Sequence, residues 1–479
     1  MNSPAGSAEL QAPLSEILHA ASRTIVRLLA GHRLSESITD AARIHGLHGR
    51  SRAALQDMSF ETTRRLGWAQ ALASLLNNKR PDNELYCLQL VALVQLEITL
   101  GSERPARHPA VLVDQAVIAA RSGNNHPGRG AFLNATLRRF QRERASLNQS
   151  LMGDCCAQFN LPAWWLTRLQ LDHPQSWQSI VLTQSLAAPL TLRVNRRRAD
   201  RDQLLRTFRD QGLAAQPIGP EGIALARSQD VTALAGFAQG WFSVQDAGAQ
   251  LAAHLLDVKP GQRILDACSA PGGKTAHLLE LYDSIELLAL DSDAKRLIRV
   301  HENLERLGLR TETRVADAAD TSAWWDGRPF ERILLDTPCT ASGIVRRHPD
   351  IPWLRKRGDI ATLVDQQWRL LNALWPLLRP GGKLLYATCS VFPAEGAQVV
   401  KGVVQRNPDA SVLNLDWNWT AGMNSPTSLP KPGVVVPAAT ADAAMLQFLP
   451  TRSSSMDADG SSLARDHDGF FYALLQKRA

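Results

Sequence analysis

The stretch Arg263–Thr275 reads RILDACSAPGGKT, and its order of residue types decides the fold. Ile264 and Leu265 make a short apolar strand that ends in a carboxylate, Asp266. Small and turn-forming residues follow, and Lys274 and Thr275 open an amphipathic segment through Leu278, Leu279 and Leu281. A strand, a tight glycine turn and a helix, in that order, hold a nucleotide-like ligand at the carboxyl edge of a parallel sheet. Gly272 and Gly273 let the backbone approach such a ligand, because a side chain there would fill its space.

Three ligand classes compete for this loop. A phosphate-cradling loop needs GxxxxGK[ST], but Cys268 stands five positions before Gly273 where glycine is required. The dinucleotide fingerprint GxGxxG is also absent. A nucleoside without a phosphate chain remains, with S-adenosylmethionine the main candidate. The bland alternative is a glycine turn in an α/β protein that binds nothing.

The flanking sequence weighs against that alternative. From about Gly236, strands and helices alternate, with strands expected at Arg263–Asp266, Ile285–Leu290, Thr311–Val315, Ile333–Leu335 and Lys383–Ala387. Repeated β–α units imply an α/β fold, a doubly wound, mostly parallel, Rossmann-like sheet with ligands at the strands' carboxyl ends. Asp291 ends the second strand, 25 positions after Asp266, where a carboxylate can accept both ribose hydroxyls. Asp317 follows the third strand, within reach of an adenine amino group, and Asp336 ends the fourth. Pro380-Gly381-Gly382 is expected to break the chain before the fifth strand, and Asp468–Lys477 to close the sheet. Between them, Trp417–Arg465 is rich in Gly, Pro, Ser, Thr and Ala and is expected to be a long loop.

Two further domains are expected before this one. Residues 10–145 are apolar at helical spacing, as in Ile17, Leu18, Ala21, Ile25 and Leu28, with no strand pattern. Residues 150–235 combine a Trp164–Trp165 helix, a strand at Leu190–Val194, a helix at Asp200–Gln211 and a weak strand at Gly222–Leu225, a small α+β connector. The methyl-donor domain would then occupy 236–479. Two arginine clusters are candidate phosphate contacts: Arg129, Arg138, Arg139, Arg142 and Arg144, and Arg193, Arg196, Arg197, Arg198 and Arg201. Solvated helix faces are the competing reading for both.

The bulk composition narrows the class. At 479 residues the chain exceeds one ordinary core. A net charge of +7 and a pI near 9.3 suit a polyanionic partner without requiring one. No apolar run approaches the roughly 20 residues of a membrane span. MNSPAGSAEL lacks the basic start and apolar core of a signal peptide, so no membrane partner and a cytoplasmic location are expected. Six cysteines show no metal-ligand spacing, so no metal site is expected, and in a reducing compartment they should be free thiols. Cys339 follows Asp336-Thr337-Pro338, and Cys389 sits in Thr388-Cys389-Ser390 after the fifth strand. Neighbouring strand ends would bring both thiols to one pocket, although a buried cysteine is more often a small hydrophobe.

DACSAPGGKT, the Asp291 and Asp317 strand ends, DTPCTASGIVRRHPDI and YATCSVFPAEG together resemble the Sun family of RNA cytosine-5 methyltransferases, and within it the bacterial 16S ribosomal RNA type. VDQAVIAA and FLNATLRRF resemble a NusB-type RNA-binding domain, which that type carries in front. Thr337 and Thr340 stand where the family often has small residues or serine, and Trp417–Arg465 looks like an insertion. The resemblance implies methyl transfer from S-adenosylmethionine to carbon 5 of a cytidine in 16S ribosomal RNA; a monomer is expected, although the sequence does not fix the oligomeric state. The resemblance also implies Cys389 as the nucleophile that adds to carbon 6. Cys339 would assist loss of the carbon-5 proton, and Asp336 would hydrogen-bond the ring near N3 and its amino group. Cys268, Ser269, Ala270, Pro271, Gly272, Gly273, Lys274, Asp291, Asp317 and Asp336 would line the cofactor site. Two other classes stay open on the residues themselves. One is a non-catalytic RNA-binding or ribosome-assembly protein with a relic cofactor fold. The other is a DNA cytosine-5 methyltransferase, whose nucleophile sits in a Pro-Cys pair as Cys339 does.

Overall fold

The structure, a computed structural model, describes residues 12–103, 105, 107–122, 128–226, 229–415, 434–437, 444–450 and 466–478. It forms two compact units: residues up to Leu171 with His348–Lys356, and Asp172–Arg347 with Arg357 onward.

The first unit is helical. Its central helix, Asn83–Gly101, packs against helices Leu14–Leu29, Gly49–Thr63, Leu66–Leu76, Pro109–Ser122 and Gly128–Ser150. This surrounding explains its sequence, apolar on nearly every side, because a helix without a polar stripe must be covered all round. It is the one helix among the described residues long and apolar enough to cross a membrane, and here it is the core. Asp82 caps it by accepting from the Leu85 amide at 3.0 Å. The segment His348–Lys356 joins this unit although chain order places it in the α/β half: Trp353 and Leu354 pack on the helical core, and Asp350 accepts from the Leu34 amide.

The second unit holds two sheets. The smaller is antiparallel and four-stranded, with β1 (Leu190–Val194), β2 (Ala215–Ile218), β3 (Gly222–Leu225) and β4 (Phe242–Val244) in the order β2-β3-β1-β4. The larger comprises β5 (Arg263–Asp266), β6 (Glu286–Asp291), β7 (Glu312–Val315), β8 (Phe330–Asp336), β9 (Leu378–Thr388), β10 (Ala410–Leu413), β11 (Val434–Pro437), β12 (Ala444–Phe448) and β13 (Phe470–Lys477). Its order is β11-β12-β13-β9-β8-β5-β6-β7, with β10 beside β13. β5 to β9 are parallel, and β10 to β13 extend the sheet in antiparallel fashion. The order reverses at β5, so the carboxyl ends of β5, β6, β8 and β9 open a crevice on either side of it.

Two expectations are corrected here. Pro380-Gly381-Gly382 does not precede the fifth strand. β9 starts at Leu378 and carries the three residues as a bulge, because Phe330 pairs with Leu378 while Arg332 already pairs with Lys383. Trp417–Arg465 is not loop throughout, since β11 and β12 arise from it and pair along Val434–Pro437 and Ala444–Phe448. Ladder bonding of β12 to β13, and of β11 to β12, supplied what the local composition lacked. The rest of that segment lies outside the described residues. β13 is more than a closing strand: it has partners on both edges, and Phe470–Leu475 are buried, Phe471, Ala473 and Leu475 in one core cluster and Phe470, Tyr472 and Leu474 in another.

Candidate active site

The glycine loop folds as its residue types require. Gly272 sits at φ +91°, a left-handed conformation, and a Cβ there would press on Val300 at 3.1 Å. The Ala270–Pro271 bond is cis. Ser269 donates its amide to the Leu290 carbonyl at 2.8 Å, and the Ala270 amide donates to Asp291 Oδ2 at 3.1 Å. Asp291 also accepts from the Asp293 amide, so this buried carboxylate holds the loop and the start of the next helix together. Arg296 braces the same turn through the Ala270 carbonyl.

Asp266 lies under the loop and accepts from Thr275 Oγ1 at 2.6 Å. Burial pushes its carboxyl up to about 7, although the Thr275 bond works against this. Asp266 Oδ1 and Ser269 Oγ are buried with no protein partner. Orphaned polar atoms beside a backbone cradle fit a polar ligand such as a nucleoside with an amino-acid tail. Burial also holds the Cys268 thiol protonated, its pKa well raised, so Cys268 behaves in the loop as an apolar group. Asp317 follows β7, half-exposed, and pairs with Arg369 at 2.7 Å and with the Ala319 amide at 3.0 Å. The carboxylates of Asp266, Asp291, Asp317 and Asp336 thus all stand at or just past carboxyl ends of the parallel strands.

Lys274, Asp336 and the two cysteines meet on the other side of β5. Lys274 Nζ lies 2.5 Å from Asp336 Oδ2. Burial works against the Lys274 charge, but Asp336 more than offsets it and Cys389 adds to it, so the lysine pKa is raised. Cys339 Sγ and Cys389 Sγ are 3.4 Å apart, from loops after adjacent strands β8 and β9. Contact with Cys389, then burial, holds the Cys339 thiol protonated, its pKa well raised.

One residue central to this geometry escaped the sequence reading. Glu395, fully buried, accepts from the Thr340 amide at 2.7 Å, Thr340 Oγ1 at 2.5 Å and Ser390 Oγ at 2.6 Å. Thr340 follows Cys339 and Ser390 follows Cys389, so one carboxylate ties the two cysteine loops. Its signal was an acidic residue inside the apolar run Val391–Ala397. Gly343 completes the junction by donating to the Cys389 carbonyl, and a Cβ there would lie 2.1 Å from the Gly469 carbonyl oxygen.

The arginine clusters turn out differently from expectation. Arg193 is fully buried and forms a two-pronged bond to Glu280, with further bonds to Gln245 and the Gly273 carbonyl. It joins the small sheet to the helix that starts at the glycine loop and is closed to phosphate. Arg197 and Arg201 donate to backbone carbonyls, while Arg196 is exposed beside Glu221. In the helix Gly128–Ser150, Arg129 is buried against Asp82 and Glu84, Arg139 pairs with Glu143 and Arg144 with Glu97. Carboxylates of the core helix and its cap claim Arg129 and Arg144, and Glu143 of the same helix claims Arg139, leaving Arg138 and Arg142 exposed.

The profile of the 16S rRNA methyltransferase RsmB/F family matches residues 253–476, and that of its ferredoxin-like domain matches 161–232. The chain is 42% identical over 416 residues to the protein named ribosomal RNA small subunit methyltransferase B of Pseudomonas putida, covering 85% of this chain and 92% of that one. It is 40% identical to the protein of the same name in Pseudomonas syringae pv. tomato, covering 96% of each. A solved methyltransferase homologue from Pyrococcus horikoshii superposes with a TM-score of 0.53 at 25% identity, covering 67% of this chain and 97% of that one. With its two domain profiles matched in order and relatives aligned over nearly their full length, the chain belongs to the RsmB/F family of 16S rRNA methyltransferases.

Proposed function

We propose that this chain transfers a methyl group from S-adenosylmethionine to carbon 5 of a cytidine in 16S ribosomal RNA, through a covalent cysteine adduct. The observation that carries this reading is the 3.4 Å approach of Cys339 and Cys389 beside the Lys274–Asp336 pair. Bound S-adenosylmethionine supplies an electrophilic methyl group on a sulfonium. The loop Cys268–Lys274, with Asp291, Asp317 and Asp336, holds the nucleoside and its tail.

Carbon 5 of cytosine is a weak nucleophile, and addition of a thiolate at carbon 6 makes it enamine-like. Cys389 is that thiolate. Only about 3% of an ordinary thiol is ionised at pH 7, so a neighbouring cation matters, and Lys274 is close enough for Cys389 to raise its pKa. Asp336 orients the ring through N3 and the amino group. Cys339, held protonated, is unsuited to the first addition; it assists the later loss of the carbon-5 proton after giving up its own proton to solvent, and that loss expels Cys389 as a thiolate.

The helical front, residues 10–145, is proposed as a NusB-like RNA-binding domain. Residues 150–235 are the connector, whose sheet also takes in β4, and 236–479, apart from β4 and His348–Lys356, the methyltransferase domain of a cytoplasmic monomer. Exposed Arg138, Arg142, Arg196 and Arg198 remain the phosphate contacts to test. Family membership does not favour the relic-fold or DNA readings. Labelled methyl transfer to 16S RNA from a strain lacking the protein should place the label in one 5-methylcytidine. Transfer to another atom, or none, would overturn the reading.

A further inference from the structure

Three residues far apart in sequence converge where the small sheet meets the methyltransferase helices. Glu221 lies in the turn between β2 and β3, His254 on the helix Ala247–Leu255, and His277 on the helix Gly273–Leu281. Glu221 Oε2 is 3.0 Å from His254 Nε2 and 3.8 Å from His277 Nε2, and the three ligand atoms lie within 4.8 Å of one another. Glu221 and His277 are 2% and 1% exposed.

Hydrogen bonding does not complete this cluster. His254 can donate Nε2–H to Glu221, but 3.8 Å is too long for a second such bond from His277. Both ring nitrogens of His277 are buried without a partner. Buried polar groups are almost always paired, so the orphaned imidazole asks for an acceptor of its lone pair. The neighbouring Arg193 charge is already taken by Glu280, and Arg196, on the other oxygen of Glu221, is largely exposed. The cluster is therefore one carboxylate with two imidazoles, and burial keeps His277 neutral.

We propose that Glu221, His254 and His277 form a binding site for a divalent transition-metal ion, zinc foremost. Two imidazoles and a carboxylate suit a borderline ion, with bonds near 2.0–2.2 Å and a water in the fourth position. Small movements about the 3.0 and 3.8 Å separations bring the three donors to such an ion. The ion clasps the β2–β3 turn to two helices, one of which begins at the glycine loop. Its role is to brace that loop, away from the cysteine pair.

The test uses the full-length protein, stripped with EDTA and titrated with cobalt chloride, then zinc chloride. The expected result is about one cobalt ion per chain with visible bands of a four- or five-coordinate N/O site, displaced by zinc, and a rise in melting temperature with zinc. Loss of a ligand in Glu221→Gln or His254→Gln should weaken cobalt binding by about 100-fold or more, beyond the effect of losing an outer-shell partner. Circular dichroism identifies whether each variant is folded, and the two substitutions lie on different elements, so a folded one remains informative. The Cys339→Ser/Cys389→Ser protein should keep the bands, which separates this site from thiol binding. Absence of the bands, or equal cobalt binding by a folded Glu221→Gln or His254→Gln protein, overturns the proposal and leaves a Glu–His hydrogen bond beside an unpaired imidazole.

Discussion

Cys339 Sγ lies 3.4 Å from Cys389 Sγ, across the loops that follow two adjacent parallel strands. Their environments differ, because Cys339 is buried and held protonated while Cys389 is partly exposed. Cys389→Ala should therefore form neither methylated RNA nor a covalent complex. Cys339→Ala should still add to the base and accept the methyl group, then accumulate a denaturation-resistant protein–RNA complex. A denaturing gel with labelled RNA and S-adenosylmethionine reads both, and a trapped band with Cys389→Ala alone would reverse the roles.

Asp291 holds the glycine loop through the Ala270 amide and is buried, whereas Asp317 is half-exposed and shares Arg369. Loss of a hydrogen-bonded carboxylate costs about 1.5–3 kcal/mol, so Asp291→Ala should weaken S-adenosylmethionine binding tenfold or more. Asp317→Ala should also weaken it, by less than Asp291→Ala. Calorimetric affinities unchanged in both would remove these residues from the cofactor site.

Glu395 receives three donors from the two cysteine loops. In Glu395→Gln, an amide NH2 must face donors, which costs about 1–3 kcal/mol of stability. The turnover rate should fall while S-adenosylmethionine affinity stays near wild type, since the glycine loop is held by other bonds. Full turnover in a folded Glu395→Gln protein would show that the loops hold their spacing without it.

Arg193 and Glu280 are an ion pair closed off from water. Removing one partner strands the other, at a cost of about 3–5 kcal/mol, whereas replacing both with apolar groups costs much less. Arg193→Met should thus destabilise strongly in urea unfolding, and Arg193→Met/Glu280→Leu should recover part of the loss. An Arg193→Met protein as stable as wild type, with weaker RNA binding, would return Arg193 to the phosphate contacts.

Asp266 has its carboxyl raised to about 7 by burial, against 3.8 for the ordinary group. The folded state therefore binds its proton more tightly than the unfolded chain. Its stabilising contribution is full below about pH 4 and is lost as pH rises through about 7, on the order of 4 kcal/mol in all. In cofactor-free protein, Asp266→Asn should remove this component, flattening the pH dependence between 4 and 7. Parallel stability curves for the two proteins would place the titration elsewhere.

The parallel half of the sheet was readable because its information is local. An apolar run, a terminal carboxylate and a glycine at a forced left-handed turn specify strand, loop and helix within about a dozen residues. Asp266, Asp291, Asp317 and Asp336 could be placed at or just past strand ends and Gly272 at the turn into the first helix from that grammar alone, and Cys339 and Cys389 followed from which strands adjoin. Side-chain partners were not readable in the same way. Arg193 looks like a phosphate contact in sequence, and only a carboxylate 87 positions away makes it a buried strut. Arg144 is similarly claimed by Glu97, 47 positions earlier. β11 and β12 lacked a local signal because β12 is held by its ladder to β13 and β11 by its ladder to β12. Glu395, and the meeting of Glu221 with His254 and His277, also needed the closed chain. Periodicity and backbone stereochemistry act over a few residues, whereas burial and charge pairing exist only after distant segments have been brought together.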